Sequence, residues 1–233
     1  MHSGLVLSPI FEYTAIMKVL MTRALNLIAG LGLYDLWANR NLEEIHDTLI
    51  KLASLTGNEQ VLDVGCGTGI LTSHLAEMLR ESAVYGIDMG SQMIRISKKR
   101  ACEKEQEISY EVGSALNLPH ANGKFDVVFT CLLLHLLDAS EKELALKEIY
   151  RVLKPKGAYI SAEFEEYPTG FLRRRVSKYP TGIIGKCGFC VHSKASGPSI
   201  TKRHRTSYRV LVKPGIHGKG TNDQEVGSLM TLL

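Results

Sequence analysis

The stretch Val61-Leu62-Asp63-Val64-Gly65-Cys66-Gly67-Thr68-Gly69 decides how this chain folds. A short apolar strand carries one acid, Asp63, into three alternate glycines, and a helical pattern over residues 70–80 follows. Glycine has no Cβ, so the turn can be tight and a ligand can lie against the backbone. The first N–H groups of the next helix then point at an anionic group. Strand, glycine turn and helix in that order form a nucleotide-cofactor loop. Its spacing narrows the cofactor. A dinucleotide fingerprint places glycines at the first, third and sixth positions, but the sixth position here is Ile70, which disfavours NAD and FAD. No Gly-Lys-Ser/Thr follows, so a phosphate loop is excluded.

Further landmarks follow in order. Val84-Tyr85-Gly86-Ile87-Asp88 is a second strand ending in an acid, 23 residues after Gly65. That is close to the offset of about 20 residues expected for a ribose-binding carboxylate. A third strand and its exit loop run from Ile108 to Ala115. Leu118-Pro119 turns the chain into a fourth strand from Phe125 to Thr130, and Val152-Leu153-Lys154-Pro155-Lys156-Gly157 leads to a fifth. Together, over residues 55–165, these motifs resemble those of class I S-adenosylmethionine-dependent methyltransferases. The nearest branch is the small-molecule one that includes the ubiquinone and menaquinone biosynthesis enzymes.

Strands alternating with helices of ten or more residues indicate a doubly wound, parallel α/β sheet. The pattern predicts helices over 42–55, 70–80, 91–104 and 142–153, and strands over 60–64, 83–87, 108–112, 125–130 and 158–164. Lys154-Pro155-Lys156-Gly157 stops the last helix. Beyond residue 165 the helical rhythm fades. Residues 185–193 and 207–213 read as two short strands, and the basic, polar 194–206 between them reads as a loop. The resemblance implies that this pair is antiparallel and completes a Rossmann-like, seven-stranded sheet. Three units follow: an N-terminal helical lid at 1–41, a methyltransferase domain at 42–214, and a disordered tail at 215–233. The lid region is apolar but interrupted by Glu12, Lys18, Arg23 and Asp35, too often to span a bilayer. It closes over a substrate pocket, covers core or, as a lesser third reading, attaches to a membrane surface.

The cofactor implied is S-adenosyl-L-methionine. Asp63 suits its α-ammonium, the N–H groups around Gly65, Cys66, Gly67 and Thr68 and the N-terminus of the helix after Gly69 suit its carboxylate, and Gly69 belongs to the same cofactor loop. Asp88 can accept both ribose hydroxyls as a charge-assisted pair. Met89 suits the adenine face, and Ser114 and Ala115 the adenine edge, although the resembled family usually has an aspartate at the position of Ser114. Thr130, leaving the fourth strand, borders the methionine moiety. Two residues are candidates for catalysis. His135 carries an imidazole, the side chain best suited near neutral pH to taking an acceptor's proton, and Tyr34 could set an aromatic ring against a sulfonium. Methyl transfer needs no metal, because alignment and water exclusion supply most of the rate. Cys187-Gly188-Phe189-Cys190 lacks two further ligands for zinc, and its place in a strand puts the two thiols on opposite faces.

Composition sets the outer bounds. The chain has 233 residues, 45% of them hydrophobic, enough for one good core with appendages. Five cysteines without regular spacing and the lack of a secretory pattern fit a reducing, cytoplasmic setting. The net charge of +4 is uneven: residues 1–150 hold 13 Lys and Arg against 19 Asp and Glu, and residues 151–233 hold 15 against 5. The basic 173–205 region raises RNA methylation as an alternative, although no aromatic stacking motif accompanies it. A second alternative is a non-catalytic S-adenosylmethionine-binding regulator. The main expectation is an enzyme, monomeric or homodimeric, that methylates a small amphipathic molecule.

Overall fold

The computed structural model describes residues 32–79, 83–164, 190–201 and 204–214, with Leu27 and Gly30. The remainder of the expected lid, most of the basic region, Cys187 and the expected tail lie outside the described residues. The elements are α1 (Leu33–Ala53), β1 (Val61–Val64), α2 (Ile70–Met78), β2 (Val84–Asp88), α3 (Ser91–Glu103), β3 (Ile108–Val112), β4 (Phe125–Cys131), α4 (Ala139–Val152), β5 (Leu153–Phe164), β6 (Cys190–Thr201) and β7 (His204–Val212). The strands lie in the order β3-β2-β1-β4-β5-β7-β6. β1 to β5 pair in parallel, and β7 pairs antiparallel with β5 and with β6.

Helices cover both faces, as parallel strands require. On one face α1 and α2 bury Leu42, Ile45, Leu49, Leu71 and Leu75 against Val61, Phe129 and Ile160. On the other, α4 buries Leu146, Ile149 and Val152 against Leu62, Val128 and Tyr159. Alternation along β4 therefore sends Phe129 to the α1 side and Thr130 to the α4 side.

Four boundaries differ from the sequence-based expectation. The helix expected to begin at residue 42 begins at Leu33, so the lid boundary drawn after residue 41 falls inside α1. Gly32, at φ 73°, supplies the turn into it, and Ala38, Leu42, Ile45 and Leu49 form one buried stripe across the boundary. α4 begins at Ala139 because Asp138 and Glu141 form a reciprocal capping box. The fifth strand starts at Leu153, directly after α4. Residues 154–157 then bulge out of register, with Lys156 at φ 65°, before Ala158 resumes pairing with Val127. Finally, residues 194–206 are not one loop: β6 runs to Thr201 and β7 starts at His204. β6 is an edge strand, where polar and charged residues are compatible with pairing.

Candidate active site

The order of strands reverses between β1 and β4, and open α/β sheets bind ligands at that crevice. The turn after β1 enters it with Gly65, Gly67 and Gly69 at φ 76°, 54° and 77°. A Cβ on Gly65 would stand 2.8 Å from Leu133 Cδ1, and one on Gly69 would stand 2.5 Å from the Tyr110 hydroxyl oxygen. The loop is thus wedged between the chain after β4 and the core below it.

Its backbone is largely satisfied from within. The N–H groups of Gly65 and Cys66 donate to Ile87 O at 2.8 and 3.1 Å, and that of Gly69 donates to Cys66 O at 2.9 Å. Asp88 Oδ2 accepts from Gly67 N–H at 3.0 Å, and its Oδ1 accepts from Gly90 N–H at 2.7 Å. Of the amides expected to face an anion, those of Gly65, Cys66, Gly67 and Gly69 are engaged, whereas no such bond among the described residues takes up the Thr68 N–H. The turn of α2 that follows has no side-chain cap. Asp88 is doubly bonded to backbone, yet each carboxylate oxygen keeps a lone pair for a hydroxyl. Burial raises its pKa against those two bonds.

Asp63 is buried at 1% exposure. Its Oδ2 accepts from the Thr72 hydroxyl at 2.6 Å, and its Oδ1 has no partner. Burial pushes its pKa up to about 7, opposed by the Thr72 hydrogen bond and assisted by the negative charge of Asp88. A small cavity opens here. Asp63, Gly65, Cys66 and Thr68 form one wall, Ile70, Leu71 and Cys131 extend it, and α1 supplies the opposite wall with Ala38, Leu42 and His46. Cys66 and Cys131 are thiols whose pKa burial drives well upward, so neither is a ready nucleophile.

The structure places the other expected residues as follows. Met89 is exposed beside Asp88. The Ser114 hydroxyl accepts from Leu116 N–H at 3.1 Å and shapes the turn that carries Ala115. The Thr130 side chain is fully buried on the α4 side, with its hydroxyl 2.8 Å from that of Tyr159. His135 sits in a single 3-10 turn, Leu134–Leu136, after β4. Tyr34 lies in the first turn of α1, and its side chain is outside the described residues.

Three contributors escaped the sequence reading. Glu163 on β5, at 4% exposure, accepts from the N–H groups of Leu133 at 3.0 Å and Leu134 at 2.7 Å, and its Oε2 stands 3.2 Å from His135 Nδ1. An acid inside the otherwise uncharged strand Ala158–Phe164 was the available signal. Arg100 on α3 donates to Thr68 O at 3.0 Å and to Asp35 Oδ2 at 2.6 Å, tying the start of α1 to the glycine loop. His46 is the third, a polar residue beside Ile45 in the buried register of α1. Burial, with His74 nearby, drops its pKa to about 4, so its imidazole is neutral.

Comparison with known proteins fits this geometry. Residues 61–157 match the family model described as a methyltransferase domain. A demethylmenaquinone methyltransferase of Lactiplantibacillus plantarum is 28% identical over 80% of this chain and 77% of its own. One of Lactococcus lactis is 34% identical over 62% of this chain, which spans only 54% of that protein. A solved S-adenosylmethionine-dependent methyltransferase from Aquifex aeolicus superposes with a TM-score of 0.61 at 24% identity, over 73% of this chain and 92% of the other. Residues 61–157 thus match a methyltransferase domain, and these likenesses together support a class I S-adenosylmethionine-dependent methyltransferase. The residues present fit that cofactor. An unpartnered carboxylate oxygen on Asp63 can take a cation, and each oxygen of Asp88 keeps a lone pair for a hydroxyl.

Proposed function

We propose that this methyltransferase modifies a small amphipathic acceptor of the quinol or phenol type, held under α1. The observation that carries the reading is the wall that α1 presents to the glycine loop, apolar at Ala38 and Leu42. Curated relatives named for demethylmenaquinone support the same acceptor class. The N-terminal segment before α1 extends that wall as a lid in this reading.

The cofactor supplies a methyl group already activated on a sulfonium. What remains for the protein is alignment, dryness and disposal of one proton. Asp63 and Asp88 fix the two ends of the site. Glu163 clamps the chain after β4 and orients the His135 ring through Nδ1, and we assign His135 to take the acceptor's proton as its electron pair forms the new bond.

Product detection with the full chain and S-adenosylmethionine tests the assignment. Methylated product is expected from an alkyl-substituted hydroquinone or naphthoquinol. Methylation of RNA instead, weakening steeply with added salt, would overturn it. Removal of residues 1–31, which leaves α1 and Asp35 in place, should preserve cofactor binding and abolish transfer. Full transfer by the truncated chain would remove the lid.

A further inference from the structure

Three buried polar atoms without hydrogen-bond partners, Asp63 Oδ1, Thr68 Oγ and His46 Nδ1, belong to residues lining the one cavity between α1 and the glycine loop. Buried polar groups are nearly always paired, so three orphans around one space point to a polar ligand there. The zwitterionic end of the cofactor is such a ligand. Asp63 can serve its ammonium, but its carboxylate needs donors. Four of the loop amides, those of Gly65, Cys66, Gly67 and Gly69, are engaged with Ile87, Asp88 and Cys66. Neither lysine nor arginine lines the cavity among the described residues. The remaining donors are the Thr68 amide and hydroxyl, the uncapped start of α2 and the imidazole of His46, and of these only His46 reaches the cavity from the α1 side.

We propose that His46 is a cofactor-binding residue contributed by α1, its Nδ1–H donating with the Thr68 hydroxyl to the carboxylate of the cofactor's methionyl tail while Asp63 Oδ1 accepts from the ammonium. His46 is 4% exposed, and its ring meets that of His74 edge to face at 6.0 Å, which packs it from the α2 side. A neutral imidazole is suited to the task. It presents one N–H donor without adding a second buried positive charge beside the ammonium. The sensing of the cofactor tail by α1 also links cofactor binding to the helix that forms the acceptor wall.

The proposal rests on the cofactor reading, and the test separates the two. S-adenosylhomocysteine and 5′-methylthioadenosine, which lacks the amino-acid tail, are titrated calorimetrically into wild type, His46→Leu and His46→Asn. Wild type should bind both. His46→Leu should bind S-adenosylhomocysteine ~10-fold or more weakly and methylthioadenosine unchanged, since only the tail loses a charge-assisted hydrogen bond. Asparagine places a donor near the Nδ1 position and should recover most of the loss. Unchanged binding of S-adenosylhomocysteine by His46→Leu overturns the proposal, as does an equal loss for both ligands, which would mark a packing role. Failure of wild type to bind either ligand would instead bring down the cofactor reading, and this inference with it.

Discussion

The glycine loop and α1 face each other across one cavity, and they are built on opposite principles. The loop is closed upon itself: its Gly65 and Cys66 amides are bonded to β2, its Gly65 and Gly69 are wedged against Leu133 and Tyr110, and Asp88 ties its middle to the end of β2. α1 is held by an apolar stripe and by the Asp35–Arg100 pair, and it brings to the cavity a histidine whose Nδ1 has no partner. The difference teaches where rigidity and response reside. The loop is a frame that exists before any ligand, and the Asp63, Thr68 and His46 side chains around the cavity carry polar atoms that a ligand can satisfy.

The largest effect should come from the strain stored at Asp63. Its folded-state pKa of about 7 lies above the ordinary value of 3.8, so the folded protein holds the proton more tightly than the unfolded chain. Stability should therefore fall as pH rises from about 4 to 7, by up to about 4 kcal/mol from this group at full ionisation. Asp63→Asn should remove that dependence and raise the melting temperature of the ligand-free protein above pH 7. The same variant should weaken S-adenosylhomocysteine more than about 100-fold, because a buried ammonium loses its counter-charge. Thermal melts across pH, with and without ligand, check both signs.

Next comes a paired glycine test of frame against helix. Gly69→Ala places a Cβ 2.5 Å from the Tyr110 hydroxyl oxygen and 2.8 Å from Ser97 Cβ at a left-handed φ, and should cost about 2–4 kcal/mol. Gly32→Ala, at a similar φ but with nothing within 4 Å, should cost about 1 kcal/mol of backbone strain alone. Urea unfolding reads both. Equal costs would mean that the loop is not wedged.

Asp88→Ala should weaken cofactor affinity by about 10- to 100-fold, corresponding to about 1.5–3 kcal/mol for charge-assisted bonds to hydroxyls. Titration of S-adenosylhomocysteine measures it, and unchanged affinity would refute the ribose assignment. The smallest effect is expected at the tether. Arg100→Met breaks a half-buried ion pair and should reduce global stability by only about 1 kcal/mol. Cleavage within α1 by a protease should accelerate while β1 and α2 stay protected. Uniform acceleration would contradict the division between frame and helix.

Much of this was legible in the sequence. The glycine spacing and the strand–helix alternation carry the fold because backbone geometry and burial on two faces constrain them directly. Asp63 and Asp88 were legible for the same reason, as acids at the ends of buried strands. The donors and tethers were not. His46 lies in a helix whose start was obscured by Gly30, Gly32 and the polar Asn39-Arg40-Asn41, so its place on a buried stripe went unseen. Thr130 was assigned to the crevice from its position in the chain, and strand alternation turns its side chain to the α4 side, against Tyr159. Arg100 and Glu163 act across gaps of 65 and 28 residues, to Asp35 and His135, and no local pattern encodes such pairings.

The central claim, that a ligand cation meets the unpartnered oxygen of Asp63, has a direct test in proton linkage. At pH 6 a carboxyl with a pKa of about 7 is mostly protonated, and an ammonium requires it ionised. S-adenosylhomocysteine should be titrated into the full chain at pH 6 in buffers of different ionisation enthalpy. The account predicts one ligand per chain and the release of nearly one proton, falling toward zero at pH 8.5. Binding whose enthalpy is the same in every buffer at pH 6 would contradict it.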